Sequence, residues 1–368
     1  MAAAPSGRAV GSVAGVAVLW TLVDQAHQLP PRPALVAELT TVADDLAVFH
    51  DGGRVAVYDG LTPDTDYEFE DMAFRTLPRL GERLSTVATV NDVHFGETEC
   101  GLLEGFDVGP VLRVEPGDPP YPDVMNRAAI DEIAAVTPDA VVAKGDLTTH
   151  GSRDEYQQFL DFYGDAFGDR LHHVRGNHDG YHGEDFASDA PIEVTLPGAT
   201  LAILDTVIPR SATGQVSDEQ LAWLDELGAR ADRPVLVFGH HHAWMPGSSS
   251  RPATYFGINC DDSEKLVDVF ARRPRLVGYF AGHTHRNRVR QAAATGGRPW
   301  VEVACVKDFP GSWAEYRVFD GGILQVHRRV STPEALDWTD RCRAMFAGTY
   351  VGYAFGELKD RCFAIPPA

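Results

Sequence analysis

Five short motifs, far apart along the chain, carry the residue types from which a metal centre is built. They are Asp92-Val93-His94, Gly145-Asp146, Gly176-Asn177-His178-Asp179, Gly239-His240-His241 and Gly282-His283-Thr284-His285. Carboxylates, a carboxamide oxygen and imidazoles are donors that suit zinc, iron or manganese. Two residues apart in a strand, Asp92 and His94 face the same way and can reach one ion. Asn177 can ligate through its carbonyl oxygen, which leaves His178 beside it for proton work. In the last motif two imidazoles follow a glycine that lets backbone approach closely. Each motif alone has a plainer reading, since Gly-Asp after a strand is an ordinary turn. Together they predict two ions held side by side and hydrolysis, most naturally of a phosphate ester.

Something must bring these motifs together, and the apolar pattern supplies it. Each motif ends an apolar run of strand length: 86–90, 140–143, 171–174, 235–238 and 276–280. Between them lie helical patterns at 122–136, with Met125, Ala129, Ile133 and Val136 on one face, and at 152–167 behind a serine cap. Ser217-Asp218-Glu219-Gln220 reads as a capping box, with Val216 and Leu221 as its hydrophobic staple. The segments 300–306, 316–319 and 323–330 read as antiparallel strands. Strands alternating with helices, followed by a meander, predict an α/β fold of two packed mixed sheets flanked by helices, in four layers. In such folds ligands lie beyond the carboxyl ends of the strands, where all five motifs fall.

Three regions are expected. Residues 1–84 read as a small β-rich domain, 85–330 as the site-bearing domain, and 331–368 as a helical tail packed on the core. In the first, Leu61-Thr62-Pro63-Asp64-Thr65-Asp66-Tyr67 resembles the corner of a fibronectin type III domain, where a tyrosine hydroxyl bonds back to the chain. A generic hairpin with a proline turn is the alternative.

In their order, the five motifs resemble the signature of the calcineurin-like metallophosphoesterase superfamily over residues 85–330. The resemblance implies that Asp92, His94, Asp146 and His285 hold a first metal and that Asp146 bridges. It implies that Asn177, His240 and His283 complete a second site. Two such ions, Mn, Fe or Zn, would bind a bridging hydroxide and clamp phosphoryl oxygens. His178 is then the candidate for protonating the leaving oxygen, with Asp179 expected to orient it. Three adjacent histidines, followed by Ala243 where relatives often have proline, leave His241 open as an alternative ligand to His240. His242 is expected to line the cleft or stand exposed. Purple acid phosphatases are also similar, but they carry a tyrosine where this chain has Thr149, so a tyrosinate–iron centre is not expected. The resemblance is nearer to bacterial class III cyclic-nucleotide and glycerophosphodiester phosphodiesterases. A phosphodiesterase is therefore expected, against a phosphomonoesterase of small phosphorylated metabolites and a non-catalytic scaffold of the same fold.

Composition bounds the partners. The net charge of −21 opposes binding to nucleic acid and to anionic membranes. It does not oppose a small phosphate ester approaching two cations. Five cysteines with no CxxC pair fit free thiols in a reducing, cytoplasmic setting. The apolar segment 10–23 reads as a first strand, with a signal-peptide core as the alternative. No stretch is long and apolar enough for a membrane helix. A homodimer is left open.

Overall fold

Apolar runs that end in a ligand-bearing turn become parallel strands of two six-stranded sheets. The structure, a computed structural model, describes residues 37–102, 108–183 and 186–367. The segment 10–23 lies outside them. In the first sheet the strands run in the order Leu171–Val174, Ala140–Lys144, Arg83–Val90, Ser312–Phe319, Gly322–Arg329, Phe363–Ile365. The first three are parallel and the others antiparallel. The second sheet runs Ile192–Leu196, Ala199–Ile203, Val235–Phe238, Leu276–Ala281, Pro299–Glu302, Arg288–Gln291, and is parallel through its four central strands. Both sheets are mixed, as expected.

Alternation along each strand divides the core. Val87, Val142 and Val174 of the first sheet face Leu201, Leu236, Phe238 and Phe280 of the second in one buried layer. Their neighbours Ala88, Val141 and Ala143 point the other way, onto the helices Tyr121–Ala135 and Pro333–Cys342. On the outer face of the second sheet, helix Asp218–Arg230 buries Leu221, Leu224 and Leu227. Each such leucine contributes roughly 1.5–3 kcal/mol.

Two local expectations need correction. Ser217 caps its helix by accepting from the Gln220 amide (3.2 Å), and Val216 and Leu221 are buried as the staple requires. The Gln220 side chain, however, pairs with both backbone groups of Asp205 (3.1 and 2.8 Å) instead of reaching back to the cap. The segment 300–306 is not one antiparallel strand. Pro299–Glu302 runs parallel to Leu276–Ala281, and the chain then crosses to the first sheet. Val303 N bonds Ala281 O (3.0 Å), and Val306 N bonds Asn91 O (3.2 Å). The apolar residues 303–306 are buried by this crossing and not by strand pairing.

Ahead of the core, Glu38–Val42, Ala47–Asp51 and Arg54–Tyr58 form a three-stranded antiparallel sheet beside the hairpin Asp66–Phe69/Met72–Arg75. The Tyr67 hydroxyl does bond back, accepting from Thr62 N at 2.9 Å. The described residues hold five strands there, fewer than the seven of a fibronectin-type sandwich, and that likeness is not supported. The sheet is sewn to the core: Thr41 Oγ1 donates to His327 O (2.8 Å), and His50 Nε2 lies 3.0 Å from Ser331 Oγ. The tail adds helices Pro333–Cys342, Tyr350–Phe355 and Leu358–Arg361, and a strand besides. All five cysteines are buried free thiols, Cys342 and Cys362 in different clusters.

Candidate metal centre

The ends of five strands, four of them inner and one (Leu171–Val174) at a sheet edge, deliver the motifs to one place. Asp92 and His94 follow Arg83–Val90, Asp146 follows Ala140–Lys144, and Asn177 opens the short helix after Leu171–Val174. His240 follows Val235–Phe238, and His283 and His285 follow Leu276–Ala281. Five of these residues have left-handed backbone: Asp92 (φ 53°), His94 (47°), Asp146 (50°), His283 (70°) and His285 (54°). Each costs roughly 1–3 kcal/mol for a residue with a side chain, and such strain persists where the surroundings fix it. The surroundings do so. Asp92 N donates to Gly145 O, and His94 N to Asp146 O, both at 3.0 Å. Asp92 Oδ1 and Oδ2 accept from His283 N at 3.1 and 3.0 Å. Gly176 is required by contact, because a Cβ there would stand 2.2 Å from Asp146 Oδ1.

The side chains converge around Asp146. Its Oδ1 accepts from His178 N at 2.9 Å. Its Oδ2 lies 3.6 Å from His94 Nε2 and 3.4 Å from His240 Nε2. On one side His285 Nε2 is 3.5 Å from Asp92 Oδ1. On the other, His240 Nε2 is 3.0 Å from Asn177 Oδ1 and 3.2 Å from His283 Nδ1. All seven residues named from the sequence as ligands are thus brought together, and all are buried except the partly exposed His285.

The donor set fits cations. Neither nitrogen of His94 has a hydrogen-bond partner, and His283 Nε2 and His241 Nε2 also lack one. Burial holds the pKa values of His94, His283 and His241 well below the usual imidazole range, so these rings present lone pairs. A buried unpaired lone pair costs about 1–3 kcal/mol, which a coordinated ion would remove. Burial also lowers His240, but the charge and hydrogen bond of Asp146, the Asp92 charge and the Lys144 carbonyl together outweigh it and bring it up to about 9. Burial would raise Asp146, and the neighbouring His240 and His178 charges hold it well below the carboxylate range. Lys144, the nearest buried ammonium on that strand, donates to Ala281 O at 2.8 Å.

His178 lies at the same mouth, half-buried, with its ring centroid 4.6 Å from that of His94. Its Nδ1 is 2.8 Å from Thr149 O. Asp179 does not orient it. That carboxylate accepts from Leu147 N, Thr148 N, Thr148 Oγ1 and Gly176 N (3.1, 2.9, 2.6 and 2.7 Å), so it shapes the loops around Asp146. His241 Nδ1 pairs with Thr206 Oγ1 at 2.8 Å while its ring packs on His283. His242 is neither exposed nor open to the cleft: it is buried against the Tyr255 hydroxyl (2.9 Å), under the backbone bond from Ile258 N to His242 O. Trp313 and Phe309 lie in the core.

Four residues around the site escaped the sequence. Asp308 Oδ2 lies 3.5 Å from His285 Nδ1 and 3.1 Å from Lys307 Nζ, and its Oδ1 accepts from Tyr350 Oη at 2.7 Å. Lys307 also meets Glu97 at 2.7 Å. Phe256 stacks on His283, with centroids 3.9 Å apart. Tyr181 receives the Asn177 amide. Only the closeness of Tyr181 to its motif could have signalled a role.

A family model described as calcineurin-like phosphoesterase matches residues 85–287, more than half of the chain. The chain belongs to the calcineurin-like phosphoesterase family. Dimetal members of this family use two metal ions. Among curated relatives, a glycerophosphodiester phosphodiesterase of Enterobacter lignolyticus is 28% identical over 231 residues, 56% of this chain and 72% of that protein. A 3′,5′-cyclic adenosine monophosphate phosphodiesterase of Pseudomonas aeruginosa is 27% identical over 210 residues, 55% of this chain and 70% of its own length. Two further relatives are matched over only 59% and 57% of their length. A dimetal phosphatase of Danio rerio shares the fold, with a TM-score of 0.50, 16% identity, and coverage of 67% of this chain and 97% of the other. Asp308 and Tyr350 lie beyond the matched segment.

Proposed function

We propose that this family member is a binuclear metal-dependent phosphodiesterase acting on small phosphate esters. Asp92, His94, Asp146 and His285 would hold one ion, and Asp146, Asn177, His240 and His283 the other. The observation that carries the reading is the position of Asp146 Oδ2, within 3.6 Å of one imidazole from each set. His240 is preferred to His241 because His240 Nε2 meets Asp146, Asn177 and His283 together. Two ions held there would supply Lewis acidity toward phosphate oxygens and an acidified water.

The chain's own contribution is proton placement. The Thr149 carbonyl can only accept, so Nδ1 of His178 keeps its hydrogen. A proton taken up by the ring would then go to Nε2, the nitrogen from which the leaving oxygen would receive it. The phosphodiester preference rests on the names of the relatives, since the ligand set alone suits monoesters as well. The reading is tested by assaying bis(p-nitrophenyl) phosphate and p-nitrophenyl phosphate with Mn(II), Zn(II) and Fe(II). Faster turnover of the diester supports it. Preference for the monoester overturns the diesterase assignment, and a metal-free, inactive chain overturns the whole.

A further inference from the structure

Asn177 can ligate only through Oδ1, yet its carboxamide also carries two N–H donors that need acceptors. Asn177 Oδ1 lies toward His240 Nε2 at 3.0 Å, and Nδ2 donates to Tyr181 Oη at 2.6 Å. Tyr181 stands four residues on, across the short helix Asn177–Gly180, so the two side chains meet over one turn. The turn beneath Tyr181 is fixed. Arg210 N donates to Gly180 O at 2.9 Å, and a Cβ on Gly180 would stand 2.6 Å from Val207 Cγ1. On its other side the Tyr181 ring packs on His178, with centroids 4.8 Å apart at 52°. The phenol is thus clamped between the proposed acid and a proposed ligand.

We propose that Tyr181 is a positioning residue for the second metal site, acting through the Asn177 carboxamide. This rests on the reading that Asn177 ligates the second ion. With the phenol oxygen as acceptor, the amide can present Oδ1 to an ion while one of its N–H groups keeps a partner. Without it, the ligating orientation leaves a partly buried donor unsatisfied. A packing role alone would need only the ring, which phenylalanine supplies.

The test is Tyr181→Phe in the full chain, titrated with Mn(II) by calorimetry and chelator competition, alone and combined with Asn177→Ala. Outer partners of metal ligands are worth about 10–100-fold in affinity. The expected result is a second-ion affinity weakened about tenfold with first-ion affinity unchanged, and no further loss from Tyr181→Phe once Asn177 is alanine. An unchanged second-ion affinity, or a loss of equal size in the Asn177→Ala background, overturns the proposal while leaving the binuclear reading intact. A wild-type chain that binds fewer than two ions overturns the binuclear reading, and this proposal with it. Circular dichroism on each variant separates these outcomes from unfolding.

Discussion

Replacing Asp146 by asparagine tests the shared oxygen with little change of shape. The new side chain has two orientations. In one, its carbonyl keeps the bond from His178 N (2.9 Å) and its NH2 takes the place of Oδ2, 3.4 Å from His240 Nε2 and 3.6 Å from His94 Nε2. An amide nitrogen there is a donor and binds no cation. In the other, the NH2 confronts the His178 N–H, donor against donor. The first orientation removes the oxygen common to the two ligand sets; the second keeps only a neutral carbonyl oxygen there, at the cost of the His178 N–H bond. A loss of about 100-fold in affinity for either ion removes about 2.7 kcal/mol of metal-linked stabilisation at a fixed excess of metal. The ion-free protein also loses some stability, because the neighbouring imidazoles favour an ionised Asp146, so the quantity compared is the gain that Mn(II) adds to each chain. The assay is metal content per chain after equilibrium dialysis, with urea unfolding in the presence and absence of Mn(II). Two ions at full occupancy and an undiminished metal-dependent gain in stability would refute the bridging assignment.

His178→Ala is expected to keep both metals and slow diester turnover by about 10²–10⁴-fold, read by steady-state kinetics beside metal analysis. An unchanged rate removes His178 from proton transfer. Asp308→Asn is expected to lower affinity at the first site by about 10–100-fold while the second is spared, since Lys307 stays paired to Glu97; calorimetric titration reads the difference. Burial, with the Arg329 and Arg343 charges, lowers the pKa of His50 from 6.5 to about 3, so the unfolded chain takes up this proton first. Its contribution to stability is complete above about pH 6.5 and is lost as pH falls toward 3, by up to about 1.4 kcal/mol for each pH unit crossed. His50→Asn should therefore flatten the stability profile between pH 6.5 and about 4 without abolishing the slope, because other buried histidines titrate there too.

The site was legible to the extent that its chemistry sits at strand ends. Asp92, Asp146, Asn177, His240 and His283 each close an apolar run, and parallel strands place such ends together. Asp308 was illegible because its approach to His285 depends on the crossing of 303–306 between sheets, which an apolar pattern cannot distinguish from a strand. Tyr350 reaches Asp308 from the tail, and no spacing forecasts that meeting. Asp179 misled because adjacency to His178 suggests partnership. A residue's sequence neighbour on a tight turn points elsewhere, here to the amides of Leu147 and Thr148. Gln220 misled likewise: the capping box is a local rule, and the Asp205 backbone supplied a better tertiary partner.

The two sheets contribute unequally to the centre. One brings every carboxylate and the carboxamide with a single imidazole, His94; the other brings imidazoles only. Neither half alone has the donors for two ions, so the site comes into being only when the sheets dock. Bound ions would then act as rivets across that seam, and their removal should loosen the joint between the sheets before it melts either one. Hydrogen exchange should register this first in the crossing strap at 303–306.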